Sequence, residues 1–327
     1  MPFKTGKSIL KGTEDMATLV EKEIPQSNPG TGAEMQLNFL WLEITRKCNL
    51  TCRHCYADSG PTVDLHGEMT FQDWQQVLSD AQTLGCSATQ FIGGEPTLNP
   101  HLEMLIEHAR SLGFTFIEVF TNATRINKAL VHAWRTNQVQ VACSFYSTDA
   151  KIHDQITNAP GSFRRTVDGI KTILDAGISL RVGLIETSAN QGQMTPAHEF
   201  LTRLGVQQIK IDRERGVGRA GIQIEPHNPM NELCGQCSKG KLCVTAEARC
   251  YPCVFSRFID LGDARSGLRS ILSSQTLQHF KIKLDSLSRL EMTHANPGCN
   301  PYGCPPYCGP HCNPGCNPVC NPCNPQC

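Results

Sequence analysis

The stretch FLWLEITRKCNLTCRHCY, residues 39–56, joins an apolar, strand-like segment to a loop that carries Cys48, Cys52 and Cys55. Thiolate is the usual ligand of iron–sulfur clusters, and short spacings on one loop let several sulfurs converge on one cube. Three cysteines bind only three irons of a four-iron cube, so the fourth iron stays open to a ligand that is not protein. Because the loop follows a strand, we expect it at the carboxyl edge of a sheet, where α/β barrels keep their chemistry.

A second motif, Gly93-Gly94-Glu95-Pro96, directly follows another strand-like segment at residues 88–92. Together with the cysteine triplet and the aromatic Tyr56 after it, this motif resembles the radical S-adenosylmethionine (SAM) enzymes. The resemblance implies that the open iron chelates the methionine part of SAM, that the Gly93–Pro96 turn binds its amino group, and that Tyr56 also belongs to the SAM-binding residues. It also implies cleavage of SAM to a 5′-deoxyadenosyl radical.

Strand-like and helix-like segments alternate from residue 37 to about residue 214, which indicates a parallel α/β sheet. Thr70 is the predicted N-cap of the first helix, and Gly85 follows its end. Six β/α units fall short of the eight in a closed barrel, and the resemblance also implies a partial (β/α)6 TIM-type barrel. The predicted strands are residues 39–45, 88–92, 114–121, 139–145, 179–186 and 207–213.

Polar residues at the ends of later strands are further candidates for SAM binding. Asn122 follows the third predicted strand and Ser144 ends the fourth, where the resemblance implies contacts to the ribose, carboxylate or adenine. Asn after a strand is also ordinary turn chemistry, so both interpretations stay open. In the run KIDRERGVGRA, residues 210–220, we favour Arg213 for a carboxylate of SAM or substrate, because a guanidinium binds carboxylates bidentately. A solvated charge run is the alternative. The resemblance places His54 against the adenine.

Five cysteines lie between residues 234 and 253, and residues 240–253 have the pattern of a β-hairpin. This region resembles the auxiliary-cluster region of SPASM- and twitch-type radical SAM proteins. The resemblance implies a second four-iron cluster, with no open iron. Zinc is the alternative, because a CxxC pair with two further cysteines also suits a tetrahedral ion. The predicted ligands are Cys234, Cys237, Cys243 and Cys253.

Cys250 is the surplus cysteine of this region and the candidate catalytic residue. On a strand it would point to the face opposite Cys253. We consider a hydrogen-atom donor that quenches a substrate radical, as in radical SAM epimerases, a structural cysteine, or a spare ligand.

The sequence predicts four parts: an N-terminal arm (1–36), the barrel (37–220), a small auxiliary-cluster domain (221–290) and a Cys/Pro-rich tail (291–327). From residue 296 the tail holds eight cysteines and nine prolines, a proline density that opposes helix and interior sheet. Disorder, ligation of a metal or cluster, and a redox or docking role are the alternatives for it. The first candidate ligands there are Cys299, Cys304, Cys308 and Cys312.

The charge balance and the grouping of the cysteines indicate which partners and which cellular compartment to expect. Thirty basic and thirty acidic residues balance, so nothing indicates a nucleic-acid or anionic-membrane partner. We find no apolar run of the ~18 residues needed to span a bilayer and no secretion signal. Eighteen cysteines in separate groups favour metal clusters in a reducing cytoplasm over a disulfide-rich secreted fold. Cys86 and Cys143 stand alone and are assigned to core packing.

The resemblance implies one-electron reduction by a flavodoxin- or ferredoxin-type donor, homolysis of SAM and hydrogen abstraction from a substrate C–H bond. Our first hypothesis is maturation of a ribosomally made peptide by epimerisation or by thioether or carbon–carbon cross-linking. The second is oxidation or epimerisation of a small sugar or aminocyclitol in antibiotic biosynthesis. A non-catalytic iron–sulfur or zinc scaffold is disfavoured by the intact motifs. The short N-terminal arm is too small for a peptide-binding domain, which counts mildly against a peptide.

Overall fold

The computed structural model describes residues 36–223, 228–237 and 239–294. Its strands are β1 (Phe39–Glu43), β2 (Ala88–Ile92), β3 (Phe116–Thr121), β4 (Gln140–Phe145), β5 (Leu180–Glu186), β6 (Gln208–Arg213), β7 (Lys241–Thr245) and β8 (Cys250–Tyr251). They form one sheet in the order β6-β5-β4-β3-β2-β1-β7-β8. The first six strands are parallel to their neighbours. Since β6 and β8 are the two edges, this described part of the chain is the partial barrel predicted from the sequence.

The helices are α1 (Phe71–Thr83), α2 (Leu102–Ser111), α3 (Lys128–Thr136), α4 (Ala150–Thr157), α5 (Ser162–Asp175), α6 (Met194–Arg203), α7 (Arg219–Gln223), α8 (Leu268–Leu272) and α9 (Gln275–His294). Helices α1 to α6 connect the six parallel strands of the barrel, and α7 to α9 follow β6 along the chain. The predicted start of α1 is confirmed, because Thr70 and Asp73 form a reciprocal capping box. Gly85 follows this helix at a φ of +84°, a conformation that favours glycine. None of the helices in the described ranges is long and apolar enough to cross a membrane.

All six predicted barrel strands are confirmed, with bounds that differ by at most two residues. Side chains alternate between two faces along each strand. On the outer face, Leu42, Phe91 and Val141 belong to the hydrophobic core. On the inner face, Glu118 accepts hydrogen bonds from Gln90 and from Arg181, whose Nη2 lies 3.0 Å from Glu118 Oε2.

The predicted C-terminal hairpin forms and continues the barrel sheet. Strand β7 pairs in parallel with β1, from Phe39 opposite Lys241 to Glu43 opposite Thr245, and β8 pairs with β7 in the antiparallel sense. The sheet therefore runs without a break across the predicted domain boundary at residue 220, and that boundary stays a prediction. Residues 1–35 of the predicted arm and the tail beyond residue 294, with Cys299, Cys304, Cys308 and Cys312, lie outside the described residues.

Candidate functional site

The loop with the cysteine triplet lies at the carboxyl end of β1 and is held from two sides. The amide of Cys48 donates to the carbonyl of Gly60 at 3.1 Å, and the amide of Arg53 donates to the carbonyl of Ile156 at 3.1 Å. A further bond joins the amide of Thr51 to the carbonyl of Thr157. These contacts place the triplet where the sequence predicted it, at the edge where the strands end.

The three thiols interact with one another, and two of them accept a hydrogen bond from a backbone amide. Cys52 interacts electrostatically with both Cys48 and Cys55. The amide of Leu50 donates to Cys48 Sγ and that of Ser59 to Cys55 Sγ, each at 3.4 Å. Burial raises the pKa of the Cys48 thiol to about 12 and raises that of Cys52 as well. Such thiols keep their protons at neutral pH unless a metal replaces them, so the donor set fits an iron–sulfur cube.

The Gly93-Gly94 turn packs against the chain that leads into this loop. The amide of Gly94 donates to the carbonyl of Thr45 at 2.7 Å, and the amide of Glu95 donates to that of Lys47 at 2.8 Å. A Cβ at Gly93 would lie 2.2 Å from the Thr45 oxygen, and one at Gly94 would lie 2.2 Å from the Lys47 oxygen. Glycine is therefore required at both positions for this close approach. Pro96 opens the short 3₁₀ helix that follows.

The Glu95 carboxyl is fully buried beside the triplet, and donors of its own chain surround it. Its Oε1 accepts from the hydroxyls of Thr97 and Thr121, each at 2.6 Å, and its Oε2 accepts from the amide of Asn122 at 2.8 Å. Burial raises the pKa of this carboxyl, while these hydrogen bonds oppose the shift. Glu95 thus ties the glycine turn to the end of β3. A direct contact of Glu95 with SAM stays a prediction.

Two of the strand-end candidates lie near the triplet. Asn122 Nδ2 lies 3.8 Å from Cys48 Sγ and 2.9 Å from Asn49 Oδ1. Ser144 is hydrogen-bonded to Tyr146, a tyrosine that interacts electrostatically with all three cysteines of the triplet. Sequence reasoning missed Tyr146, although its place directly after β4 was a usable signal.

His54 packs beside Tyr146, with the two ring centroids 4.9 Å apart. Burial, with a smaller contribution from the Arg219 charge, lowers the pKa of His54 to about 4. Its Nδ1 is buried and has no hydrogen-bond partner among the described residues. A neutral ring with a free polar atom therefore borders the triplet.

Tyr56 points from the cluster loop toward the C-terminal hairpin. Its ring lies 5.5 Å from that of Phe255, and the Arg257 guanidinium lies 5.6 Å from the Tyr56 centroid. Arg257 also forms an ion pair with the buried Glu43 at the end of β1 and lies over the Tyr251 ring. The side chain predicted to bind SAM is thus placed between the two cysteine groups.

Of the three arginines around the glycines after β6, Arg213 and Arg219 have different surroundings. Arg213 is half exposed, pairs with Glu232 at 2.9 Å and borders a cavity of about 430 Å³ at the ends of β5 and β6. Arg219 instead donates from Nε to the carbonyl of Cys52 at 2.9 Å and from Nη2 to that of Ser59 at 2.7 Å. It also pairs with Asp58 at 2.9 Å. Arg219, which the sequence did not single out, is the arginine that holds the cluster loop.

Three of the four predicted auxiliary ligands come together. The sulfurs of Cys237 and Cys253 lie 3.0 Å apart, and Cys234 contacts Cys237. Cys243 is fully buried on the inner face of β7 and interacts electrostatically with Cys253. The donor set consists of thiols, which are ligands of both iron–sulfur clusters and zinc. Within the described ranges, no three Cys, His, Asp or Glu side chains surround a single-ion position.

Cys250 lies on the other face of the hairpin. Its cross-strand partner is Val244, whereas Cys243 pairs with Tyr251, and directly paired residues share a face of the sheet. The charged groups that act on its thiol are Asp260, Asp263 and Arg249. The role of hydrogen-atom donor stays a prediction, and this placement gives it no support.

Arg219→Gln should loosen the cluster loop, because it removes charge-assisted hydrogen bonds that each contribute about 1.5–3 kcal/mol. We expect amide hydrogen exchange of residues 48–60 to accelerate by at least about tenfold. Arg213→Gln is the matched control from the same segment and should leave this exchange unchanged. Equal exchange rates in the two variants would contradict the assignment of Arg219.

Comparison with known proteins agrees with this geometry. The sequence profile of the Radical SAM superfamily matches residues 42–187. The antilisterial bacteriocin subtilosin biosynthesis protein AlbA of Bacillus subtilis is 27% identical over 190 residues, which are 56% of this chain and 41% of AlbA. An AdoMet-dependent heme synthase of Oleidesulfovibrio alaskensis is 30% identical over 179 residues, 54% of this chain and 46% of that protein. The chain thus spans less than half the length of these two relatives.

Among solved structures, Streptococcus suis SuiB bound to precursor peptide SuiA superimposes with a TM-score of 0.64 and 14% identity. The match covers 75% of this chain and 67% of SuiB. At this sequence identity it shows that the two proteins share a fold. The profile match includes the triplet, the glycine turn and strands β2 to β5, which build the site described above. Residues 42–187 of this chain are therefore similar in sequence to the Radical SAM superfamily, and the fold agrees with that similarity.

Proposed function

We propose that this chain is a radical SAM enzyme that abstracts a hydrogen atom from a substrate C–H bond. The observation that carries the proposal is the triplet loop itself. The thiols of Cys48, Cys52 and Cys55 interact with one another at the carboxyl end of the sheet, in a loop that is bonded to the Gly93-Gly94 turn and to Arg219. A four-iron cluster held by Cys48, Cys52 and Cys55 supplies one-electron chemistry to SAM when both are bound.

The residues around the triplet suit the groups of SAM. The amides of Gly94 and Glu95 already donate within the chain, so the turn offers carbonyl oxygens, which are the acceptors that an amino group needs. Asn122, Ser144 and the free Nδ1 of His54 add polar groups beside the thiols. The chain's part in the reaction is to orient SAM and to keep water from the reacting atoms.

Replacement of Cys48, Cys52 and Cys55 together by alanine should abolish SAM cleavage. We expect 5′-deoxyadenosine formation, measured by chromatography of anaerobically reconstituted protein with dithionite, to fall to the background without enzyme. Cys86→Ala, which alters a lone buried cysteine outside both groups, should retain most of the activity. Continued 5′-deoxyadenosine formation by the triple variant would refute the proposed function.

We further propose a second four-iron cluster held by Cys234, Cys237, Cys243 and Cys253. The contacts among these thiols support it. The Glu43–Arg257 ion pair lies between this group and the triplet, with the guanidinium between the rings of Tyr56 and Tyr251.

Cys237→Ala should lower the iron content of the reconstituted protein by about four atoms per chain and leave the first cluster in place. Iron and zinc are measured by elemental analysis, and the reduced first cluster by electron paramagnetic resonance. Cys250→Ala is the matched control from the same hairpin and should keep the full iron content. Loss of one zinc without loss of iron in Cys237→Ala would support the zinc alternative instead.

For the substrate we propose a ribosomally made peptide. The similarity to AlbA, whose name assigns it to bacteriocin biosynthesis, supports this class. The fold supports it too, because β6 is an edge strand with no neighbour on its outer side among the described residues. An extended peptide can pair with such an edge, next to the cavity at the ends of β5 and β6. We also propose a cytoplasmic location and a flavodoxin- or ferredoxin-type donor, since both suit reduced clusters.

Turnover of candidate peptides in deuterated water tests the substrate and the reaction type by intact mass. Uptake of one deuterium per event is expected for epimerisation, and loss of two hydrogens is expected for cross-linking or dehydrogenation. Small sugars and aminocyclitols, the second predicted class, are assayed in parallel. A mass change confined to the small molecules would reject the peptide assignment while leaving SAM cleavage intact.

A further inference from the structure

A group of cations lies beside the cluster loop, on a protein whose formal charge sums to zero. The five residues come from three segments that meet at the carboxyl end of the sheet, and all five side chains are exposed. We call them the basic surface: Arg53, Arg125, Lys128, Arg164 and Arg165.

The segments that carry the basic surface have more basic than acidic residues. Residues 122–136 carry Arg125, Lys128 and Arg135 and have no acidic residue. Residues 161–172 carry three cations, and Asp168 is their sole acidic residue. Asp168 faces Arg164 at 3.8 Å, an exposed pair that neutralises little in water. Asp154 nearby is already engaged by the amides of Gly161 and Phe163.

Contacts in the chain join the three segments. The loop after β3 touches the triplet directly, through Asn122 Nδ2 at 3.8 Å from Cys48 Sγ and Asn49 Nδ2 at 2.8 Å from Thr124 Oγ1. Helix α5 packs on the same loop, because Thr166 donates to the carbonyl of Asn122 at 3.1 Å. A Cβ at Gly169 would lie 2.0 Å from the carbonyl oxygen of Ala123. Arg125 is therefore three residues from a side chain that contacts a ligand of the first cluster.

The basic surface extends into a groove between α3 and α5. This groove has a volume of about 670 Å³, and its lining includes Lys128, His132 and Arg135 from α3 and Thr172 from α5. Electron-transfer complexes bury little area and depend on complementary charge for encounter. A concave cationic surface with a short path to a cluster ligand meets both requirements.

We propose that the basic surface is the docking site of an acidic one-electron carrier protein, a proposal that rests on the proposed function. Cys48, Cys52 and Cys55 would hold the cluster, which would accept one electron from the docked, reduced carrier. The carrier is oxidised by one electron, the cluster is reduced by one, and no covalent bond forms or breaks. Arg53, which directly follows Cys52, and the loop of residues 122–125 connect this surface to the cluster ligands.

The test combines Arg125→Glu with Lys128→Glu in the reconstituted full chain. The rate constant for cluster reduction by a reduced bacterial flavodoxin is measured by stopped-flow absorbance over a range of salt concentrations. We expect a fall of at least about tenfold at low ionic strength, because steering by complementary charge changes association rates by 10–10³. The difference should shrink as salt screens the charges, and reduction by dithionite should keep the wild-type rate.

The control combines Arg203→Glu on α6 with Lys283→Glu on α9, which changes the net charge by the same amount at exposed sites on other elements. We expect its flavodoxin rate to stay within about twofold of the wild type, since distant exposed charges are screened. Equal losses in the two double variants would overturn the proposal. An equal loss with dithionite would overturn it as well, because the cluster itself would then be altered.

A poly-glutamate peptide labelled with a fluorophore tests the rival occupant, an acidic peptide segment. If the double variant loses peptide binding by anisotropy but keeps the wild-type flavodoxin rate, the surface binds peptides and the proposal is wrong. Failure of the proposed function has a different signature. In that case the wild-type protein forms no 5′-deoxyadenosine even with dithionite.

Discussion

The contact between the Gly93-Gly94 turn and the chain after β1 is the constraint on which the site depends. Two amide–carbonyl bonds, at 2.7 and 2.8 Å, bring the ends of neighbouring parallel strands so close that no side chain fits between them. The turn thereby fixes where the cysteine loop leaves the sheet. The buried Glu95 carboxyl extends the same connection to the end of β3. The triplet is thus positioned by β1, β2 and β3 together.

Strand β1 is also the link between the two cysteine groups, because it pairs with β2 on one side and with β7 on the other. Cys243 lies directly opposite Trp41 in that pairing. The Glu43–Arg257 ion pair lies at the end of β1, and the Arg257 guanidinium also lies over the ring of Tyr56. A buried charged pair of this kind is costly to separate, so the hairpin and the barrel are held as one unit.

Much of the fold could be predicted from the sequence because its signals are local. Apolar strand segments, the N-cap Thr70 and the glycine after α1 each act within a few residues. The hairpin over β7 and β8 is equally local, and its strands formed where the pattern indicated. That β7 would pair in parallel with β1 was not predictable, since the pairing joins segments about two hundred residues apart.

The sequence by itself determined the chemistry on offer: three closely spaced cysteines with an iron–sulfur spacing, a glycine turn after a strand, and a second cysteine group on a hairpin. Only the tertiary structure decided which side chains contact these two cysteine groups and the glycine turn. In the folded chain, Arg219 donates to the carbonyl of Cys52, 167 residues away along the chain, whereas Arg213 is half exposed. The ring of Tyr56 lies against Arg257. Cys250 lies on the same face of the sheet as Val244. The physical reason is that residue spacing sets which ligands can converge, whereas the partner of a long side chain depends on the packing of distant segments.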